Sequence, residues 1–439
     1  MWITYEFLFL IGLVFYLPRA LCRRRLPHAG WSMRLGRYPN ALIEKLRGRN
    51  TLWVHAVSVG EVLAVRPLVR ALAQSSPDRP LVLSTTTPGG FEVASKSLPD
   101  GGVSIFVPLD LRRCVTAALK VVRPSILLLI ESELWPVLIR ETKRRGVPVV
   151  LVNGRISGRA FSRYRLVKRL AARLLDQIDL FLMQSQADAD RILALGAPSS
   201  RVVVTGSLKW DASLGARPTP QAIKETATHL GLNGHEAIIV AGSTHRGEED
   251  VLLEAIRTLR SAGAVRQQIR LILAPRHLER LAEVEMLVRQ HGFTGLRLSQ
   301  PLASGGSWEV GLVDTFGQLP RYYSLAAVVF IGGSLIPHGG QNPLEASSLG
   351  KPVIFGPSMH NFTEIAEQLV AHGAGRQVSG KETLRSTLEE LLTNTTLADE
   401  MGKRARALTE SSQGAVQRTL EALKPLLSRT AFQINIRNA

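Results

Sequence analysis

The strongest constraint on this chain is a repeated alternation. Short apolar runs rich in β-branched residues are each followed by a stretch with helical spacing. The runs fall at 51–57, 81–85, 103–107, 125–130, 147–152, 180–183 and 202–205, with helix-length stretches such as 61–74 and 134–145 between them. Alternation of this kind predicts a parallel sheet with helices on both faces. Residues 211–235 carry Gly, Pro, Thr and polar side chains and read as an interdomain connection with room for a helix. The alternation then restarts at 237–241, 270–274, 309–313, 326–331 and 352–355, and residues 382–427 are mostly helical in pattern. The expected architecture is two doubly wound α/β domains facing each other across a cleft. Their expected bounds are 26–210 and 236–439, the latter including the C-terminal helices.

A chain of 439 residues, 45% hydrophobic and 21% charged, is near globular averages, which excludes wholesale disorder and a multi-span membrane protein. Two cysteines, Cys22 and Cys114, exclude a disulfide scaffold. No Cys/His group has zinc spacing, so a structural metal is not expected. The formal net charge of +18 predicts an anionic partner: nucleic acid, a membrane surface or a phosphorylated substrate.

Residues 2–17 are apolar except for Thr4, Glu6 and Gly12. A spanning helix needs about 20 residues, and Pro18 to Leu21 extend the run. Arg19 and Arg23-Arg24-Arg25 adjoin it on the C-terminal side. A signal peptide has the opposite order. The segment 1–25 therefore reads as a membrane anchor with a basic flank, the rest of the chain lying in the cytoplasm. Arginines beside an anionic leaflet each add about 1 kcal/mol of attraction. The alternative is a buried N-terminal helix.

In open α/β sheets, ligands bind beyond the carboxyl ends of the strands. Seven of the strand ends here carry small or ionisable residues. In the first half they are Ser58-Val59-Gly60-Glu61, Glu131-Ser132-Glu133, Asn153-Gly154-Arg155-Ile156-Ser157 and Gly206-Ser207-Leu208-Lys209. In the second half they are Gly242-Ser243-Thr244-His245, Pro275-Arg276-His277 and Gly332-Gly333-Ser334.

Within Gly339-Gly340-Gln341-Asn342-Pro343-Leu344-Glu345, Asn342 suits a helix N-cap and Pro343 the first helical position. Glu345 then either closes a capping box or accepts ribose hydroxyls. Glycines that admit a ligand, free N–H groups and the helix dipole favour a phosphate there; a capped helix without a ligand is the alternative. Glu61 opens a helix, where the dipole stabilises its ionised form. As a carboxylate it can accept a proton from a sugar hydroxyl, although a helix-start Glu is more often structural. Lys209, Arg276 and His245 are candidates to face a leaving phosphate. Residues 159–173 read as one helix with a basic face, Arg165, Arg169 and Arg173 recurring every four residues beside Phe161, Leu166 and Leu170. Such a face binds a membrane or phosphorylated lipid, or is simply solvated. Pro67 predicts a kink or a late start in the 61–74 helix.

Together these segments resemble the Kdo transferases, which attach 3-deoxy-D-manno-octulosonic acid (Kdo) to the lipid A precursor. The resemblance rests on the N-terminal hydrophobic segment, Ser58-Val59-Gly60-Glu61, Glu131-Ser132-Glu133-Leu134-Trp135-Pro136, Asn153-Gly154-Arg155-Ile156-Ser157, Gly206-Ser207-Leu208-Lys209, Gly242 to Glu248, Ala274-Pro275-Arg276-His277, Asp314-Thr315-Phe316-Gly317, Gly340 to Glu345 and Gly350-Lys351-Pro352. They span nearly the whole chain in order. The resemblance implies a GT-B glycosyltransferase fold of two Rossmann-like domains, CMP-Kdo as donor, and an inverting transfer that requires no metal or other cofactor. It implies Glu61 as general base. It places Arg276, Gly332, Gly333, Ser334, Asn342 and Glu345 around CMP, and Lys209, Glu131 or Glu133, and His245 along the cleft. Arg155, Arg159 and Arg163 are the expected acceptor contacts. The implied partners are CMP-Kdo, the lipid A precursor (lipid IVA) of lipopolysaccharide biosynthesis and the inner membrane of a Gram-negative cell, with no nucleic acid. Two positions depart from the family pattern: Gln341 stands where His is expected, and Gln318 where Glu is expected.

Two rival readings are compatible with the sequence. Another GT-B enzyme, such as a nucleotide-sugar epimerase, would need neither an anchor nor a basic acceptor face. A membrane-tethered nucleic-acid binder would need a basic stripe with interleaved aromatics, and aromatics are only 6%.

Overall fold

The computed structural model of the protein describes residues 5–7, 9–14, 30–213, 217–300 and 307–437. They form two compact units, one of residues 1–212 with 413–439 and one of residues 213–412.

The first unit holds seven parallel strands: β1 (Thr51–His55), β2 (Leu81–Thr85), β3 (Val103–Phe106), β4 (Pro124–Ile130), β5 (Val149–Gly154), β6 (Leu180–Met183) and β7 (Val202–Val204). Their order is β3-β2-β1-β4-β5-β6-β7. The strand runs are continuously apolar because both faces are covered. Trp53, Leu127, Leu129, Leu151 and Phe181 pack on one face. Leu52, Val54, Leu128, Val150 and Leu182 pack on the other.

The final helix, Ala415–Arg437, belongs to this unit rather than to a domain ending at 439. Its Ala415 and Leu423 join the second core face. The Asp211 carboxylate accepts from Gly414 N (2.9 Å) and Val416 N (3.3 Å), and Arg418 Nε donates to the Thr205 carbonyl at 2.8 Å. Helical spacing reveals that a helix is amphipathic but not which core receives it.

The second unit holds β8 (Glu236–Thr244), β9 (Gln268–Pro275), β10 (Gly295–Arg297), β11 (Val310–Leu312), β12 (Val328–Ile331), β13 (Val353–Phe355) and β14 (Gly375–Gln377), all parallel. The order is β10-β11-β9-β8-β12-β13-β14. The expected connection over 211–235 is largely part of the units themselves. Asp211 and Ala212 end a helix of the first unit, Leu208–Ala212. Thr219 caps a helix over Pro220–His229, and this end of the second unit is tied down by Trp308 Nε1 donating to the Leu230 carbonyl at 2.9 Å.

Of the expected anchor over 1–25, residues 5–7 and 9–14 are described and helical; the rest lies outside the described residues. Phe7, Leu10, Ile11 and Val14 are exposed. The Tyr5 hydroxyl donates to the buried Asp110 at 2.9 Å. Among the described residues no helix is long and apolar enough to cross a membrane. The expected single helix over 159–173 is two, Gly158–Leu166 and Lys168–Leu175, broken at Val167. The helix expected at 61–74 spans Val59–Ser75, starting early because Ser58 caps it, and it continues through Pro67.

Candidate active site

Strand order locates the sites. In the first unit the chain reverses direction across the sheet between β1 and β4, and in the second between β8 and β12. Such switch points open a crevice at the carboxyl ends of the strands. Glu61 and Glu131 follow the first pair of strands; His245 and Gly332 follow the second.

In the first unit, Ser58 accepts from Glu61 N at 3.4 Å, and its hydroxyl donates to Glu61 Oε1 at 3.2 Å. Val57 N donates to Glu61 Oε2 at 2.7 Å. Glu61 is thus both part of the helix cap and a fixed carboxyl group. The dipole does not hold it fully ionised as expected: burial dominates and pushes its pKa up to about 7, with Glu131 and Glu133 adding to the rise against the Val57 and Ser58 hydrogen bonds. Glu133 accepts from Trp135 Nε1 at 2.7 Å, and burial raises its carboxyl too.

Lys209 pairs with Glu131 at 3.0 Å. The loop that brings it there is held by Asn153, whose Oδ1 accepts from Leu208 N at 2.9 Å. Glu131, Asn153 and Ser243 all adopt left-handed backbone conformations, with φ of 57°, 55° and 55°. Strained residues of this sort gather where function over-determines the backbone, and all three lie at strand ends. Arg159 and Arg163 are exposed on a helix that buries no residue, while Arg155 is half-buried at its base.

In the second unit, Gly332 N donates to the Gly242 carbonyl at 2.8 Å. A Cβ on Gly332 would collide with the Ser243 carbonyl, so only glycine lets these two strand ends meet. The N–H groups that follow are not free. Glu248 accepts from Gly333 N (2.7 Å), Ser334 N (2.9 Å), Leu335 N (3.0 Å) and His245 N (2.9 Å). Glu248 is the organising residue that sequence reasoning missed; its signal was three acidic residues opening a helix after a strand-end loop.

The Asn342 cap also differs from expectation. The helix is only Leu344–Ser348, and Asn342 Oδ1 accepts from Leu344 N at 3.1 Å. Glu345 meets the Asn342 side chain at 3.5 Å instead of closing a capping box. Burial raises the Glu345 carboxyl. Nor do the glycines leave the backbone open at Gly340: Met359 occupies the space a Cβ would take. A helix of five residues adds little dipole to this turn.

The other polar feature of this unit is a group of three histidines with Arg276 beside it. His245 stacks on His338 with ring centroids 4.4 Å apart and meets His277 edge-on at 5.7 Å. Gln341 Nε2 lies 3.4 Å from His245 Nε2. Burial, then His338, His277 and Arg276, push the pKa of His245 down to about 4, so near neutrality its ring is uncharged. Of the three candidates for a leaving phosphate, His245 and Arg276 share this group, whereas Lys209 is paired with Glu131 in the other unit.

Residues 29–212 match the family described as 3-deoxy-D-manno-octulosonic-acid transferase (kdotransferase). A 3-deoxy-D-manno-octulosonic acid transferase of Haemophilus influenzae is 33% identical over 398 residues, covering 90% of this chain and 91% of its own. Among solved structures, a glycosyltransferase from Rickettsia africae superposes with a TM-score of 0.60 at 13% identity, covering 87% of this chain and 99% of its own. A putative UDP-N-acetylglucosamine 2-epimerase from Listeria monocytogenes gives 0.57 at 16% identity, covering 88% of this chain and 98% of its own. The fold alone thus hosts both chemistries; the sequence relatives discriminate between them.

Proposed function

The chain belongs to the 3-deoxy-D-manno-octulosonic acid transferase family, and from that premise we propose that it transfers Kdo from CMP-Kdo to the lipid A precursor with inversion, using Glu61 as general base. The observation that carries the assignment is the Glu61 carboxyl itself. It is held at the first switch point by Val57 N and Ser58, with its pKa pushed up to about 7. A base with a pKa near the working pH is both available and strong.

In the proposed step, the ionised Glu61 takes the proton of an acceptor hydroxyl. The freed oxygen bonds to the anomeric carbon of Kdo from the face opposite the phosphate. The bond from that carbon to the phosphate oxygen breaks, and its electron pair leaves on CMP. Negative charge therefore grows on the phosphate, where fixed cations and donors stabilise it. Arg276 and the His245–His277–His338 group supply that environment in the second unit.

The proposed location is the inner membrane, with the catalytic units on the cytoplasmic side and the N-terminal segment as anchor. Support comes from the exposed Phe7, Leu10, Ile11 and Val14, the arginines at 19 and 23–25, and the net charge of +18. Mass spectrometry of lipid A precursor incubated with CMP-Kdo and the purified protein tests the activity and counts the sugars added. An unmodified acceptor, or a preference for UDP over CMP in competition, overturns this function.

A further inference from the structure

The amino-terminal edge of the first sheet carries a cavity that the proposed reaction does not use. Its volume is about 430 Å³, within the usual range for small-molecule sites of roughly 300–1,000 Å³. Arg49 comes from the residues just before β1, Arg79 from those before β2, and Arg70 from the last turns of the Val59–Ser75 helix. The strands are parallel, so this edge is opposite the one that bears Glu61.

Three features make it more than a chance cluster of arginines. Its acidic lining is a single residue, Asp100; Asp78 adds one more negative group near Arg79. The side chains of Arg49 and Arg70 have no carboxylate partner within ion-pair distance among the described residues. Finally, the walls are stiff. Pro77, Pro80 and Pro99 line the cavity, and a fixed φ at each lowers the ordering cost of binding. Arg79 is anchored by donating to the Leu427 carbonyl at 3.1 Å, which ties one wall to the C-terminal helix.

We propose that this cavity is a second anion site, where Arg49, Arg70 and Arg79 bind a phosphate ester or pyrophosphate group. Guanidinium groups suit such ligands because their fork of donors matches phosphate oxygens. The assignment is independent of the transferase reading.

The test titrates sodium pyrophosphate into the full-length protein by calorimetry. R49S/R70S should weaken one class of site at least tenfold, with the thermal unfolding profile retained because both side chains are exposed. R49K/R70K, which keeps the charge but loses the fork, should fall between. R276S should leave this site unchanged. A control, R113S/R257S, removes two other exposed arginines and should have no effect. Sedimentation with vesicles containing phosphatidic acid distinguishes the sources. A defect in pyrophosphate binding alone assigns a soluble ligand, and a defect in both assays assigns a lipid headgroup. An unchanged pyrophosphate titration in R49S/R70S, or an equal loss in the control, overturns the site.

Discussion

The Lys209 ammonium stands 3.0 Å from Glu131 Oε1, with the two side chains only 16% and 15% exposed. Removing one partner of a buried pair leaves the other charge uncompensated. K209M should therefore cost about 1–3 kcal/mol in urea unfolding, less than a fully buried pair would because some solvent remains. Adding E131Q to K209M should recover most of that loss. A double variant as unstable as K209M would show that Lys209 stabilises through its stem, not its charge.

Glu61 must be ionised to accept a proton, so transfer should rise with pH and level off above about 7. E131Q removes a negative neighbour that raises this pKa, so the acid limb of kcat/KM should move to lower pH. E61Q should reduce turnover by a factor of about 10²–10⁴ while CMP binding, followed by calorimetry, persists. Near-normal turnover in E61Q would remove Glu61 from the mechanism.

The same shift has a consequence for stability. The folded pKa of about 7 lies above the ordinary 4.5, so the fold binds this proton more tightly than the unfolded chain does. That contribution is complete below the unfolded pKa and lost as pH rises through about 7. E61Q should consequently be more stable than the parent at pH 8, on the order of 1–3 kcal/mol, with the advantage vanishing near pH 4. Parallel unfolding curves at the two pH values measure it.

Glu248 gathers four backbone donors from two loops. E248A orphans all four and should destabilise the second unit by roughly 3–5 kcal/mol, given about 1–3 for each buried unsatisfied group and some relaxation. E248Q retains one acceptor oxygen and should lose less. Both should weaken CMP binding, because the Gly332 to Leu335 loop loses its anchor. Urea unfolding and CMP titration of the same samples check the two effects together.

Much of this architecture is legible because parallel strands buried on both faces leave uninterrupted apolar runs, as at β4 and β5. The strands β10 and β14 escape that reading. Each is three residues long at a sheet edge, starts with glycine and carries an arginine, so no apolar run marks it. The place of Glu61 at the start of the helix after β1 was legible, but the burial that raises its carboxyl was not. Glu248 was not, because its partners are backbone N–H groups 85 to 87 residues away, and backbone donors leave no trace in the residue types. The length of the helix after Asn342 was not legible for a related reason. A good capping sequence does not specify helix length, and this helix stops after five residues.

The break at Val167 creates the most exposed apolar patch near the basic helices. Leu166, Val167 and Leu170 are 86%, 48% and 49% exposed, and Arg163, Arg165, Lys168 and Arg169 surround them. A solvated helix face needs the cations but gains nothing from the leucines. A face that enters an anionic lipid interface uses both, the apolar side chains for burial and the cations for attraction. L166E/L170E should therefore lower recovery with phosphatidylglycerol vesicles several-fold at constant ionic strength. Soluble nucleotide binding and thermal unfolding should stay unchanged, since neither side chain contributes to a core. Vesicle binding that survives the double substitution yet collapses in high salt would reduce this surface to its charge alone.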